Sequence, residues 1–466
     1  MTEIFDVVVI GAGPVGENVA QYATEASGLT AVLVERELVG GECSYYACMP
    51  SKALLRPIEV AATAAHLGGL SAPTIDRDAL LARRDYWVSS YSDKGQVEWA
   101  EGAGIAVVRG EGRITGERIV TVTSSEGTRV LEARHAVVIA TGSEPVVPDL
   151  YRSSLPWGSR DATGLVEVPG RIVVVGGGVV ACEAATWLNA LGAHVTLLVR
   201  GARLLPHAEP FAADLTRAAL MEQGVDVRLG IELLGVTRED AADTGLGRIH
   251  GGAVTVTTSD GTIEAGEILV AVGRRPRLDD LGLDSVGLDA HSITHGDVPA
   301  WLLSVGDASG EAPLTHWGKY RARVIGEQIA ARALGEPVPQ PPADVPVPQV
   351  VFTDPQVSWV GLTEAQARER YDVVVAHVPW SAASGASLLR DDVDGAAQIV
   401  VDTESRCVVG ATFVGPESGE LLHAATIAIT GRVPVDVLRH AVPSYPTAAE
   451  LWLRLLESLP RELRHR

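Results

Sequence analysis

Residues 5–36 read FDVVVIGAGPVGENVAQYATEASGLTAVLVER. An apolar run, Val7–Ile10, leads into Gly11-x-Gly13-x-x-Gly16, then a helical stretch, then a second apolar run that stops at Glu35. Short runs rich in β-branched residues read as strands buried on both faces of a parallel sheet. The glycines fall where a strand–turn–helix unit needs them: Gly11 for the tight turn, Gly13 for backbone approach to a pyrophosphate, Gly16 for close helix–strand packing. The helix N-terminus then faces phosphate, and Glu35 lies about 20 residues on, where an acceptor for a ribose hydroxyl belongs. The stretch predicts a dinucleotide-binding domain.

Residues 171–200, RIVVVGGGVVACEAATWLNALGAHVTLLVR, repeat the pattern as Gly176-x-Gly178-x-x-Ala181 between a strand and a helix, with a second strand after it. Two such units imply two dinucleotides on one chain, an arrangement suited to passing a hydride between them. The second unit lacks the acid. Val199 stands in its place, with Arg200 next and Arg203 close by. Arginine there suits a ribose 2′-phosphate, so NADPH rather than NADH is the expected donor. Two surface arginines without a ligand are the plainer alternative.

Between the two units, residues 40–52 read GGECSYYACMPSK. Cys43 and Cys48 are two of only four cysteines, and Lys52 is one of three lysines, the others being Lys94 and Lys319. Met49-Pro50-Ser51 favours a helix starting at the pair. A helix N-terminus or a nearby cation lowers a thiol pKa and makes the nucleophilic thiolate available. So short a loop gives a structural crosslink little chain entropy to remove. Zinc would need further paired Cys or His ligands, whereas Cys182 and Cys407 are isolated and read as small buried hydrophobes. A redox-active pair is the reading; inert or metal-binding cysteines are the alternative. Tyr45 and Tyr46 between them shape a substrate mouth or simply pack.

The chain of 466 residues is long enough for about three domains. Its 46% hydrophobic and 21% charged content fits a soluble globular protein, and a net charge of −21 argues against nucleic acid or an anionic membrane as partner. MTEIFDVVVIG has no basic leader, no apolar run approaches the roughly 18–20 residues of a membrane span, and cysteine is too sparse for a secreted scaffold. A cytoplasmic location is expected. The proline-rich stretch 337–348, PVPQPPADVPVP, can neither pair centrally in a sheet nor continue a helix, and no nucleotide signature follows it. The expected fold class is therefore α/β: two Rossmann-like dinucleotide-binding domains plus a C-terminal α/β domain. The expected boundaries are 1–148, 149–268, 269–340 and 341–466, with 269–340 returning to the first domain.

The ordered set of Gly11–Gly16 with Glu35, GGECSYYACMPSK, Ala140-Thr141-Gly142-Ser143, the second glycine unit, AVGRRP (271–276), SVGD (304–307) and FTDPQVSWVGLTE (352–364) resembles the flavoprotein disulfide reductases. These include dihydrolipoamide dehydrogenase, glutathione reductase and mercuric reductase. The resemblance implies FAD on the first unit, NAD(P)H on the second, and a last domain that pairs two subunits into a homodimer with shared active sites. Gly11, Gly13, Gly16, Glu35, Gly112, Thr141, Gly142, Ser143 and Asp307 would contact FAD, and Gly41, Lys52, Glu183, Gly273, Arg274 and Thr315 would also belong to the cofactor-binding residues. Gly176, Gly178, Ala181, Arg200 and Arg203 would contact the donor. Cys43 would attack substrate, Cys48 would face the flavin, and Lys52 would pair with Glu183 beside it. The implied activity passes electrons from NADPH through FAD to a Cys43–Cys48 disulfide and on to a small-molecule disulfide, quinone or metal acceptor.

Near the C-terminus the chain departs from that pattern. Where the disulfide-reducing members carry His-Pro-Thr and a later glutamate, this chain has Tyr445-Pro446-Thr447 and Glu450. Histidine titrates near 6.5 and tyrosine near 10, so Tyr445 cannot readily take a proton at neutral pH. A Tyr-Pro-Thr loop resembles that of soluble pyridine nucleotide transhydrogenases. Dihydrolipoamide dehydrogenase, transhydrogenase with idle cysteines, and a flavin-bearing redox sensor are the rival activities.

Overall fold

The structure, a computed structural model, describes residues 2–464. Two compact units form, each assembled from separated stretches of chain.

The first unit takes residues up to Pro50, Arg84–Val146 and Gly273–Ala343. Its sheet runs Ala106–Arg109, Ala31–Glu35, Thr2–Ile10, Gly127–Ile139, Ile119–Ser124, Glu111–Gly116, with Leu302–Ser304 also on Gly127–Ile139. The strands from 2–10, 31–35, 106–109 and 302–304 pair in parallel, and only the 111–139 meander is antiparallel. The apolar run Val7–Ile10 feeds both faces because successive side chains alternate. Val7 and Val9 pack under the helices with Val19, Ala20, Ala322 and Ile325; Val8 and Ile10 pack on the other side with Val120, Val122, Leu131 and Leu302. The helix Pro14–Thr24 lies against the helix Thr315–Leu334. Their approach is close: a Cβ on Gly318 would sit 2.6 Å from Val15 Cγ2, and one on Gly326 2.7 Å from Tyr22 Cβ.

The second unit takes Ser51–Arg83, Val147–Val272 and the chain from Asp344 onward. It holds an all-parallel sheet in the order Asp226–Leu229, His194–Val199, Arg171–Val175, Glu267–Val270, and an antiparallel ribbon of Leu233–Arg238, Val254–Thr258 and Gly261–Ala265. After the proline-rich stretch comes an antiparallel sheet in the order Gln349–Val351, Gln356–Gly361, Val408–Gly415, Ala396–Asp402, Val373–Pro379. Helix Glu450–Ser458 packs on that sheet through Leu451, Leu455 and Leu456. A fully buried ion pair, Arg238–Glu267, sits in this unit, with the Glu267 carboxylate also accepting from the His250 and Ile268 N–H groups. No helix among the described residues is long and apolar enough to cross a membrane.

Candidate redox-active site

The two glycine-rich segments of the first unit meet backbone to backbone. Gly11 has φ +99 and leaves no room for a side chain beside the Ala140 carbonyl. Ala12 N–H donates to Glu35 Oε2 at 2.8 Å, and Gly40 N–H donates to Ala12 O at 2.7 Å. Gly41, at φ +55, lies so near Gly13 that a Cβ would come 2.7 Å from Gly13 Cα. The result is a bare backbone cradle at the N-terminus of helix Pro14–Thr24, which suits a pyrophosphate. Gly16 is buried in that helix's first turn.

A second chain of polar groups runs through the same unit. Ser143 Oγ donates to Asp307 Oδ2 at 2.5 Å and accepts from Arg274 Nε at 2.8 Å. Arg274 Nη2 donates to Ser143 O at 2.8 Å and reaches Glu42 Oε1, beside Cys43, at 3.5 Å. Thr141 Oγ1 donates to Arg277 O at 2.6 Å. Gly142 and Gly273, both at positive φ, flank the pairing of Ser143–Pro145 with Arg274–Pro276. Gly112 lets its strand settle on Val34 and Ile10.

Cys43 lies in the short helix Gly41–Tyr45, and Cys48 opens the helix Cys48–Ala65. Both are thiols, and Cys48 Sγ lies 3.3 Å from Thr315 Oγ1. The Cys43 thiol is pushed up by its hydrogen bond with Cys48 and by burial, while Thr315 and the Lys319 ammonium pull it down. Tyr45 is buried, with its hydroxyl 3.2 Å from Gln96 Oε1, and burial pushes it up to about 12. Tyr46 stacks on Tyr91 with centroids 5.6 Å apart. Tyr45 thus takes the packing alternative.

Within the second unit, Lys52 Nζ donates to Glu183 Oε2 at 2.8 Å and stands 4.7 Å from the centroid of the Phe352 ring. Glu183, only 3% exposed, accepts from the Phe352 N–H at 3.0 Å through its other oxygen. Gly176, at φ +133, turns the chain beside Ala271; Gly178 caps the helix Val179–Ala190, and Ala181 is fully buried in its first turn. Arg200 and Arg203 are exposed beyond the strand His194–Val199, Arg203 donating to Pro206 O at 3.2 Å. Cys182 and Cys407 are buried, and burial pushes Cys182 up to about 12.

In the C-terminal loop Tyr445 is 77% exposed, whereas Glu450 is buried and accepts from the Gly385 N–H at 3.1 Å. The Thr447 backbone lies where a Gly385 side chain would stand, so the chain grips this loop at both points.

Glu17 escapes the sequence reading, and Lys319 is noted there only as one of three lysines. Glu17 has a buried Oε1 without a hydrogen-bond partner, and burial pushes its carboxyl up to about 7, Lys319 opposing and Glu35 reinforcing. Nothing in the sequence marks Glu17; lysine scarcity marks Lys319. Among the described residues no cluster of His, Cys, Asp or Glu could hold a metal ion.

Comparison with known proteins gives the chain's family. Residues 5–296 match the Pyridine nucleotide-disulphide oxidoreductase family, and residues 347–455 match that family's dimerisation domain. A dihydrolipoyl dehydrogenase of Haloferax volcanii is 34% identical over 476 residues, covering 97% of this chain and 96% of that one. Dihydrolipoyl dehydrogenase 3 of Pseudomonas aeruginosa is 33% identical over 475 residues, covering 97% of each. Two solved structures share the fold at 23% identity. The HOCl-induced flavoprotein disulfide reductase RclA of Escherichia coli has TM-score 0.83 over 98% of this chain and 100% of that one; LpdA of Mycobacterium tuberculosis has TM-score 0.81 over 98% and 99%. With family models matching residues 5–296 and 347–455, and a relative 34% identical over 97% of this chain, the chain belongs to the pyridine nucleotide-disulphide oxidoreductase family.

Proposed function

We propose that this enzyme takes electrons from NADPH and delivers them through the Cys43–Cys48 pair to a disulfide or quinone acceptor that needs no strong general base. FAD, the cofactor the family implies, fits the bare cradle of Gly11–Gly13 and Gly41, with Glu35, Ser143, Arg274 and Asp307 as polar partners. When bound, it supplies a two-electron carrier able to take hydride from a reduced pyridine nucleotide and to reduce a disulfide. The chain's residues supply the rest. Gly176, Gly178 and the helix Val179–Ala190 would hold the donor's diphosphate, and Arg200 and Arg203 would pair with a 2′-phosphate. Glu183 fixes the Lys52 ammonium. Thr315 orients Cys48 and leaves Cys43 as the attacking thiol. Two copies of the chain, joined through the dimerisation domain, would share each site.

The carrying observation is the cysteine pair itself, two neighbouring thiols with Thr315 Oγ1 3.3 Å from Cys48 Sγ. Anaerobic NADPH should expose two new thiols per chain on the flavin-bound protein, at Cys43 and Cys48. NADPH oxidation that leaves both sulfurs in a disulfide would overturn the reading. The curated relatives favour a second reading, dihydrolipoyl dehydrogenase. Tyr445 weighs against it, since a positioned general base contributes ~10²–10⁴ in rate. Brisk lipoamide turnover would decide for the second reading.

A further inference from the structure

The second unit holds a cleft of about 310 Å³ that the proposed reaction leaves unused. That volume lies at the lower end for small-molecule pockets. One wall is the face of the parallel sheet that packs on the antiparallel ribbon. Side chains alternate along a strand: Val173 and Leu198 pack on the ribbon, whereas Ile172, Val195 and Val227 pack on the other side with the helix Val179–Ala190. Arg171, His194, Thr196 and Arg228 therefore share the ribbon side, and all four line the cleft. Arg171 and His194 are direct neighbours across their two strands, and Thr196 lies opposite Asp226. Arg228 is folded back onto Asp226, with Nε at 2.9 Å and Nη2 at 2.7 Å from Oδ2. Among the described residues no carboxylate pairs with Arg171 or His194.

The opposite wall is the strand Gly261–Ala265, an edge of the ribbon. Ile263 and Ala265 turn toward the apolar core between ribbon and sheet, so Thr262 and Glu264 turn their side chains outward. These two still border the cleft, through their backbone. The hairpin closes on the pair Thr258–Gly261, and every second pair from there, Val256–Ile263 and Val254–Ala265, exchanges both backbone bonds. Thr262 and Glu264 fall between those pairs. Their N–H and C=O groups point away from the ribbon, as free groups of an edge strand do.

A guanidinium and an imidazole without counter-charge, free backbone N–H groups and the apolar Ile263 and Ala265 thus meet in one cleft. We propose that this cleft binds a small carboxylate with an apolar body. The carboxylate takes the Arg171 fork, with His194 beside it, and the body lies on Ile263 and Ala265. Inorganic phosphate would use the cations and leave the apolar side unfilled. The cleft is distinct from the donor site. Arg171 and His194 begin their strands, whereas Gly176 and Arg200 follow the far ends of the same two strands. Five residues of strand set Arg171 and Gly176 about 16 Å apart. A carboxylate at one end and a dinucleotide at the other would not meet.

The test is isothermal titration calorimetry of the flavin-bound protein with benzoate as the probe. Benzoate should bind at millimolar concentration or below, one per chain, whether or not NADP⁺ is present. Arg171→Ala should weaken that binding about 10–100-fold, the worth of a charge-assisted bond, and leave the KM for NADPH unchanged. The Arg171 side chain is exposed, so its removal spares the fold. Benzamide, which lacks the charge, and inorganic phosphate, which lacks the apolar body, should each bind about tenfold more weakly or worse. Failure of benzoate to bind, undiminished affinity in Arg171→Ala, displacement by NADP⁺, or equal binding of benzamide or phosphate would overturn the proposal.

Discussion

Replacing Glu183 by alanine removes two bonds at once, and the structure sets the cost of each. The Phe352 N–H, 3.0 Å from Glu183 Oε1, loses its acceptor at a carboxylate only 3% exposed; an unsatisfied buried N–H costs about 1–3 kcal/mol. The Lys52 ammonium, 2.8 Å from the other oxygen, loses its counter-charge. Removing one member of a fully buried pair costs about 3–5 kcal/mol, but the Lys52 side chain is 35% exposed and can rehydrate, which reduces this to about 1 kcal/mol. Glu183→Ala should therefore destabilise the second unit by about 2–4 kcal/mol. Glu183→Gln keeps an oxygen for one of the two donors and should cost about 1 kcal/mol. Urea unfolding of the flavin-bound protein, followed by tryptophan and by flavin fluorescence, measures both midpoints at unchanged slope. An alanine variant within 0.5 kcal/mol of the parent, an allowance of about the usual surface-substitution scatter, would refute this account of Glu183. So would a glutamine variant as unstable as the alanine one.

Tyr445→His should raise turnover with lipoamide by about 10², the low end for a positioned base, because Glu450 remains engaged by Gly385; steady-state kinetics near neutral pH would show it, and no gain would mean that the loop does not limit that reaction. Arg200→Ala combined with Arg203→Ala should lower kcat/KM for NADPH about 10–100-fold, the worth of charge-assisted bonds to a 2′-phosphate, while NADH is unaffected; an equal loss for both donors would sink the assignment. The folded carboxyl of Glu17 titrates near 7 rather than 4.5, so the folded protein binds more protons across that interval than the unfolded chain. Stability conferred by this group is complete below about 4.5 and lost as pH rises through about 7, by up to about 3 kcal/mol. Glu17→Gln should flatten that part of the stability curve, and parallel curves for variant and parent would contradict it.

The parts of the molecule that could be read from sequence are those where backbone geometry leaves little choice. Gly11 and Gly176 sit at φ values other residues avoid, and the buried strands beside them need unbroken apolar runs, so both nucleotide units show locally. Pairings between distant positions do not. Lys52 and Glu183 are 131 residues apart, and only resemblance to a family joined them. Glu17 reads as an ordinary favourable charge in a first helical turn; its buried Oε1 and the burial that pushes its carboxyl up are tertiary facts with no local signature. The buried Arg238–Glu267 pair escaped for the same reason.

The C-terminal loop joins a fixed mount to an interchangeable tip. Thr447 packed on Gly385, and Glu450 holding that residue's N–H, fasten the segment to its own sheet domain, while Tyr445 projects with 77% of its surface free. A lineage could therefore exchange the proton-handling residue without rebuilding the scaffold that presents it, and acceptor preference could drift by single substitutions while the rest of the enzyme stays unaltered.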